Sequence, residues 1–322
     1  MPGLQLRYET QAVMEQRSVG ASGLRVSRLG LGTLTWGRDT DGDEAAAQIA
    51  AFVDAGGTLV DTSPAYGDGA AQRILAELLD DVVPRTELVL SSSSGINPAG
   101  PSRIDCSRRG LVAQLDATLR ELGTDYLDMW QVATWDPFTP VDEVAATLDF
   151  AVSSGRVRYV GARGYLGWQL ATAAGASRGT TLVATQVEYS LLARGVEEEL
   201  VPAAAHHGVG MFAAVPLARG VLTGKYRNGI PVDSRGADEA HAQDVQSYLT
   251  DSSVRVVDAV VTAADGLGTS PLAVALAWAR DRPGVASAVV GARDIAQLTG
   301  VLVAEELELP AAIAAALDDV SA

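Results

Sequence analysis

The chain has 322 residues, 48% of them apolar and 20% charged, with a net charge of −16; the length suits one α/β barrel around a single core. So large an acid excess argues against a phosphate backbone as partner, which excludes nucleic acid as the expected ligand. One cysteine and three histidines supply neither a disulfide nor a metal-ligand spacing, and no apolar run approaches the roughly 20 residues that cross a bilayer.

Met1 to Val13 is polar, lacks the apolar stretch of a signal peptide and reads as a tail ahead of one patterned domain over 14–322. A cytoplasmic protein with a small-molecule substrate, and with neither nucleic acid nor membrane as partner, is the expectation; nothing in the chain indicates its oligomeric state. Arg17 to Arg28, around Ala21-Ser22-Gly23, reads as a hairpin. Short β-branched or Leu-rich runs then alternate with amphipathic stretches, which argues for parallel strands joined by crossover helices. Eight strands are expected: Leu29 to Leu31, Thr58 to Asp61, Leu88 to Ser91, Tyr126 to Val132, Val157 to Ala162, Leu182 to Gln186, Val209 to Val215 and Ala286 to Val290.

Between them, Leu111, Leu115, Leu119 and Leu122 share one helical face that Gly123 terminates. A second helix is expected to open with Thr139 as cap and Pro140 in its first turn, and to stop at Gly155. Beyond the seventh strand, Leu217 to about Thr250 is too long for a mere linker and reads as a functional loop.

Several strand ends carry motifs: Gly30-Leu31-Gly32-Thr33, Val60-Asp61-Thr62-Ser63-Pro64-Ala65-Tyr66-Gly67, Thr185-Gln186-Val187-Glu188-Tyr189-Ser190, Gly220-Val221-Leu222-Thr223-Gly224-Lys225-Tyr226, and Val290-Gly291-Ala292-Arg293 followed by Gln297. Their order, across Gln16 to about Asp319, resembles the aldo-keto reductase superfamily. The resemblance implies a (β/α)8 TIM barrel whose chemistry sits at the C-terminal strand ends, and an oxidoreductase that reduces aldehydes and ketones with NADP(H).

The family works with an Asp, Tyr, Lys and His tetrad, in which the tyrosine donates a proton and the lysine, held by the aspartate, lowers the phenol's pKa. By this resemblance Asp61 and Tyr66 match the first two members, while Ser93 stands in the lysine's place and Ala133 in the histidine's. The chain thus resembles an actinobacterial-type member with a degenerate tetrad. Arg163-Gly164 replaces the Ser-Asn that commonly holds the nicotinamide carboxamide, and Ala214-Val215 replaces Trp-Ser. The resemblance further assigns Thr33, Gln186, Leu217, Gly220, Lys225, Arg235, Gly291, Arg293 and Gln297 to the cofactor. Gly291-Ala292-Arg293 reads as the opening of a helix whose N-terminal amides suit a phosphate, with Arg293 placed to pair with the 2′-phosphate of NADPH. Gly300 and Val301 replace polar residues that often contact adenine.

Each residue also has a plainer reading. Asp61 suits a turn bonded to its own backbone, Tyr66 a packed aromatic, and Arg235 and Arg293 ordinary surface cations. Arg163 either supplies the charge that Asp61 lacks or points to solvent. Cys106 reads as an inert small residue, and His206-His207 as a helix terminus beside Gly208. Trp130, Trp135, Trp168 and Phe138 are core or helix-packing candidates, Trp135 alternatively lining a substrate pocket. Three functions follow: an NADPH-binding oxidoreductase with impaired or altered carbonyl chemistry; a lyase, isomerase or cyclase in a repurposed pocket; and a non-catalytic nucleotide-sensing or partner-binding protein, a use the resemblance reaches through potassium-channel β subunits. Fold alone does not choose among them.

Overall fold

The computed structural model describes residues 14–96, 103–239 and 241–322; the expected tail, Met1 to Val13, lies outside them. Two short strands, β1 (Gln16–Ser18) and β2 (Arg25–Ser27), pair antiparallel as the expected hairpin. Eight further strands follow: β3 (Leu29–Gly32), β4 (Leu59–Asp61), β5 (Val89–Ser94), β6 (Leu127–Val132), β7 (Val157–Arg163), β8 (Leu182–Glu188), β9 (Gly210–Ala214) and β10 (Val285–Val290). Each pairs in parallel with its neighbours, and β10 returns to β3, so the sheet closes into the barrel expected from the sequence. Closure removes the sheet edges.

The outer layer contains α1 (Gly42–Asp54), α2 (Ala70–Leu78), α3 (Arg108–Leu122), α4 (Val141–Ser153), α5 (Gly167–Ala176), α6 (Leu200–His207), α7 (Ala242–Gln246), α8 (Asp251–Leu267), α9 (Pro271–Arg280), α10 (Ile295–Ala304) and α11 (Ala311–Ser321). In α3 the four leucines are buried and Gly123 takes the left-handed conformation that ends the helix. The cap of α4 is Pro140, one residue later than expected, because the Thr139 hydroxyl is drawn to Asp136. The long connection after β9 is partly ordered, with a 3-10 turn over Ala218–Thr223 and the short α7. Among the described residues no single helix is long and apolar enough to cross a membrane.

Two apolar clusters position the site. The larger packs helices against the outside of the strands. The smaller lies inside the barrel, where Leu59, Met129, Val183 and Phe212 meet Val19, Leu24 and Val26 of the hairpin. Ala21 N–H donates to Gly208 O at 2.8 Å, and a Cβ on Gly20 would lie 2.2 Å from that same oxygen. The hairpin therefore seals the N-terminal end of the barrel, leaving the C-terminal rim as the open end.

Candidate active site

Register brings the expected rim residues together. Gly32 pairs with Asp61, Asp61 with Ser91, Ser93 with Gln131 and Arg163 with Gln186. Ala133 follows β6 and donates its N–H to Ser94 O at 2.7 Å, and Gly291 follows β10. Side chains at paired positions of neighbouring parallel strands share a face, which puts these groups around one mouth.

Asp61, its side chain 3% exposed, is an ionised group in a nearly dry place and requires partners. Its Oδ1 accepts from the Ser91 hydroxyl at 3.0 Å and pairs with the Arg163 guanidinium; its Oδ2 accepts from Gln186 Nε2 at 3.2 Å. Gln131 fixes that arrangement, donating through Nε2 to Gln186 Oε1 at 2.8 Å and to Ser91 Oγ at 3.1 Å. Arg163 does not point to solvent. Its Nη1 also donates to the Tyr66 phenol oxygen at 3.2 Å, so one guanidinium bridges carboxylate and phenol.

Tyr66 is half-buried directly after the turn that closes β4, with its N–H on Ser63 O at 3.0 Å. Gly67, Asp68 and Gly69 follow in left-handed conformations, which turn the chain sharply behind the ring. Burial lifts the phenol above its ordinary pKa; Arg163 opposes the rise and Asp61 adds to it. Burial also opposes the charge on Arg163, but Asp61 and Tyr66 outweigh it and hold the guanidinium charged. Ser93 is buried with its hydroxyl on Ser63 Oγ at 3.3 Å, and Ala133 is half-buried. Among the described residues no lysine or histidine hydrogen-bonds Asp61 or Tyr66.

The residues expected at a cofactor divide into two groups. Thr33 and Gln186 are buried and spent on the site itself, the Thr33 hydroxyl donating to Asp61 O at 3.2 Å. The others face the loop after β9. There Val215, Ala218 and Arg219 have positive φ, and Val215 at 54° is strained because it is β-branched. Gly220, at φ 90°, lies under Lys225, whose Nζ would come within 3.1 Å of a Cβ there. Leu217 is half-buried at the start of this turn.

Arg235 makes no ion pair among the described residues. Burial, reinforced by Arg219, Arg38 and Arg293, lowers its pKa, with Asp39 only partly compensating. Arg219 pairs with Asp244 at 3.2 Å, Arg38 with Asp39 at 2.7 Å, and Arg293 Nη1 donates to Asp233 O at 2.9 Å. Four guanidiniums converging on an acidic protein make a place for a multiply charged anion. A nucleotide bearing phosphates fits this donor set.

The start of the helix after β10 and the surroundings of two aromatic residues differ from expectation. The helix after β10 opens at Ile295 with Asp294 as its cap, and its first amides are already taken: Ile295 N–H by Glu44 at 2.7 Å and Gln297 N–H by Asp294 at 2.8 Å. An anion near Gly291 to Arg293 therefore depends on arginine side chains, while Gln297 serves the helix start, accepting from Arg293 N–H at 3.2 Å. Phe138 and Trp168 are not core residues; they are 93% and 53% exposed on the rim. Trp130 is core, and Trp135 is half-buried between Tyr165 and Trp168, with ring centroids 5.4 and 5.2 Å away. Cys106 is buried, and desolvation with Asp136 and Asp105 nearby pushes its thiol up to about 12, so it is inert. The strand-end positions of Ser91 and Arg219 point to the mouth without a role for either, while Gln131, inside β6, and Arg38, in the loop after β3, carry no local signal.

The aldo/keto reductase family profile matches residues 28–322. The chain belongs to that family. A rice protein named a probable voltage-gated potassium channel subunit beta is 34% identical over 286 residues, covering 87% of each chain. The L-glyceraldehyde 3-phosphate reductase of Escherichia coli K12 is 33% identical over 301 residues, covering 90% of this chain and 87% of its own. An uncharacterized oxidoreductase of Bacillus subtilis, YrpG, is 32% identical over 324 residues, covering 95% and 96%. Membership with relatives of these names supports an oxidoreductase of aldo-keto reductase type.

Proposed function

We propose that the protein is a cytoplasmic, NADP(H)-dependent oxidoreductase acting on carbonyl compounds, with an altered site in which Arg163 takes over the role of the family's lysine. The observation that carries this is the Arg163 guanidinium bridging Asp61 and the Tyr66 phenol. Ser93 and Ala133 stand where the family resemblance puts lysine and histidine, so the tetrad reduces to Asp61, Tyr66 and Arg163.

NADPH, when bound, supplies the hydride; Arg235, Arg293, Arg219, Arg38 and Lys225 would hold its phosphates. The chain's own residues handle the proton. Tyr66 accepts from Arg163 and its O–H faces the Asp61 carboxylate, which it would exchange for a carbonyl oxygen when it donates its proton. As that proton leaves, the guanidinium stabilises the phenolate, and Asp61, fixed by Ser91 and Gln186, keeps the guanidinium in place. An arginine keeps its charge to higher pH than a lysine does. With Ala133 beside the mouth, no imidazole helps orient the carbonyl, and small aldehydes such as 4-nitrobenzaldehyde are expected to react slowly.

The channel-subunit relatives favour a second reading, a nucleotide-binding protein without turnover. Titration with NADPH and NADH separates the readings from the outset: the proposal expects binding, tighter for NADPH, and slow oxidation of the bound NADPH when a carbonyl is added. Binding without oxidation favours the second reading, and no binding overturns both.

A further inference from the structure

The C-terminal rim after β6 and β7 exposes large apolar side chains on well-held backbone. Tyr165, two residues beyond Arg163, packs edge-on against Trp135, and Trp135 in turn against Trp168. The aromatic wall thus follows the ends of β6 and β7 on the rim, and beside it Trp168 is 53%, Leu166 57% and Phe138 93% exposed. Floppiness does not explain these exposures. Asp136 accepts from Phe138 N–H at 2.9 Å, Cys106 N–H at 3.1 Å and the Thr139 hydroxyl at 2.8 Å, and Leu166 N–H donates to Gln169 Oε1 at 2.8 Å. Apolar surface held out to water at a cleft mouth marks a place that a ligand covers.

Charge on this side is already spent. Residues 133–140 and 163–168 contain Asp136 and Arg163 as their only charged side chains. The first is committed to its loop and the second to Asp61 and Tyr66. No cation on these two loops is left to receive a phosphate or carboxylate.

Resting on the oxidoreductase reading above, we propose that the substrate is a large, uncharged, predominantly apolar carbonyl compound, whose hydrocarbon part lies along Trp135 and Trp168 under Phe138. This class differs from the phosphorylated triose named for the Escherichia coli relative. Phe138 and Trp168 set specificity and leave the proton transfer to Tyr66.

The test is calorimetric titration of the protein with 2-acetonaphthone and with glyceraldehyde 3-phosphate, each with and without NADP⁺. Phe138→Ser and Trp168→Ala, both changes at exposed positions, are measured in parallel, along with NADPH affinity and sedimentation mass. The ketone should bind at least about tenfold tighter than the phosphate, and each substitution should weaken it by roughly three- to tenfold, the size of one aromatic contact, with NADPH affinity unchanged. Tighter binding of the phosphate, ketone binding indifferent to both substitutions, or a dimer that Phe138→Ser dissociates without touching ketone binding would each overturn the proposal. Ketone binding that responds to the substitutions in a protein that fails to bind NADPH supports the apolar ligand and strikes only the oxidoreductase reading.

Discussion

The guanidinium of Arg163 stands 3.2 Å from the phenol oxygen of Tyr66 while it pairs with the Asp61 carboxylate, so a cation from the fifth barrel strand serves two residues of the second barrel strand and the turn after it. Removing it leaves a carboxylate that is almost fully buried and unpaired. Arg163→Met should cost about 3–5 kcal/mol of stability by denaturant unfolding. Arg163→Lys should cost much less, and Asp61→Asn in the Met background should recover part of the loss. Three equal losses would show that the pair is not coupled.

The alkaline limb of the pH profile follows from Tyr66. As an acid it must be protonated, so reduction runs below the phenol pKa and fails as pH rises through it. Burial raises that pKa from its ordinary value of about 10, and Arg163 does not titrate in this range. Carbonyl reduction should therefore hold its rate from neutral pH to beyond about pH 10, as long as the fold survives. A rate that falls between pH 7 and 9 would point to a different acid.

Much of this was legible in the sequence, for definite reasons. The strands read clearly because buried barrel strands are continuous apolar runs, and Asp61 and Tyr66 because they sit in a dense motif at a strand end. The direction of Arg163 is not legible in the sequence, since it depends on its register with Gln186, a long-range pairing that no local pattern encodes. The helix after β10 starts four residues later than Gly291 suggests, because Asp294 caps it and Glu44, from the far-off α1, takes its first amide. Phe138 and Trp168 misled because hydrophobicity favours the core, whereas their loops are tied down by polar anchors, chiefly Asp136 and Gln169.

That anchoring is testable. Asp136 has a lowered pKa: burial raises it, but the amides of Phe138 and Cys106 and the hydroxyl of Thr139 outweigh that effect. A depressed carboxylate contributes stability above its unfolded pKa of about 4, and the contribution is lost as pH falls through the lower folded value. Asp136→Ala should cost about 1–3 kcal/mol through the donors it leaves unpaired. The loss should be evident at pH 7 and should shrink below about pH 4. A difference that stays constant with pH would remove the carboxylate from the account.

For the cofactor, Arg235 should matter more than Arg293, because Arg293 is already engaged with Asp233 O while Arg235 has no ion pair among the described residues. Arg235→Ala should weaken NADPH binding by about tenfold or more, the loss of one charge-assisted hydrogen bond. Arg293→Ala should weaken it less, and both should reduce the preference over NADH. Equal affinities for the two cofactors in the unmodified protein would contradict the arginine cluster's assignment.

The most direct test of the central claim is NADPH oxidation with a carbonyl substrate, followed by absorbance in the unmodified protein, Tyr66→Phe, Arg163→Met and the Ser93→Lys, Ala133→His double variant. Slow but real turnover is expected, falling by about 10²- to 10⁴-fold in each single variant, the worth of tuned acid catalysis. The double variant should gain little at most, because Arg163 already holds the place beside Asp61. Undiminished turnover without Tyr66 or Arg163, or fast turnover only once lysine and histidine are supplied, would contradict the claim.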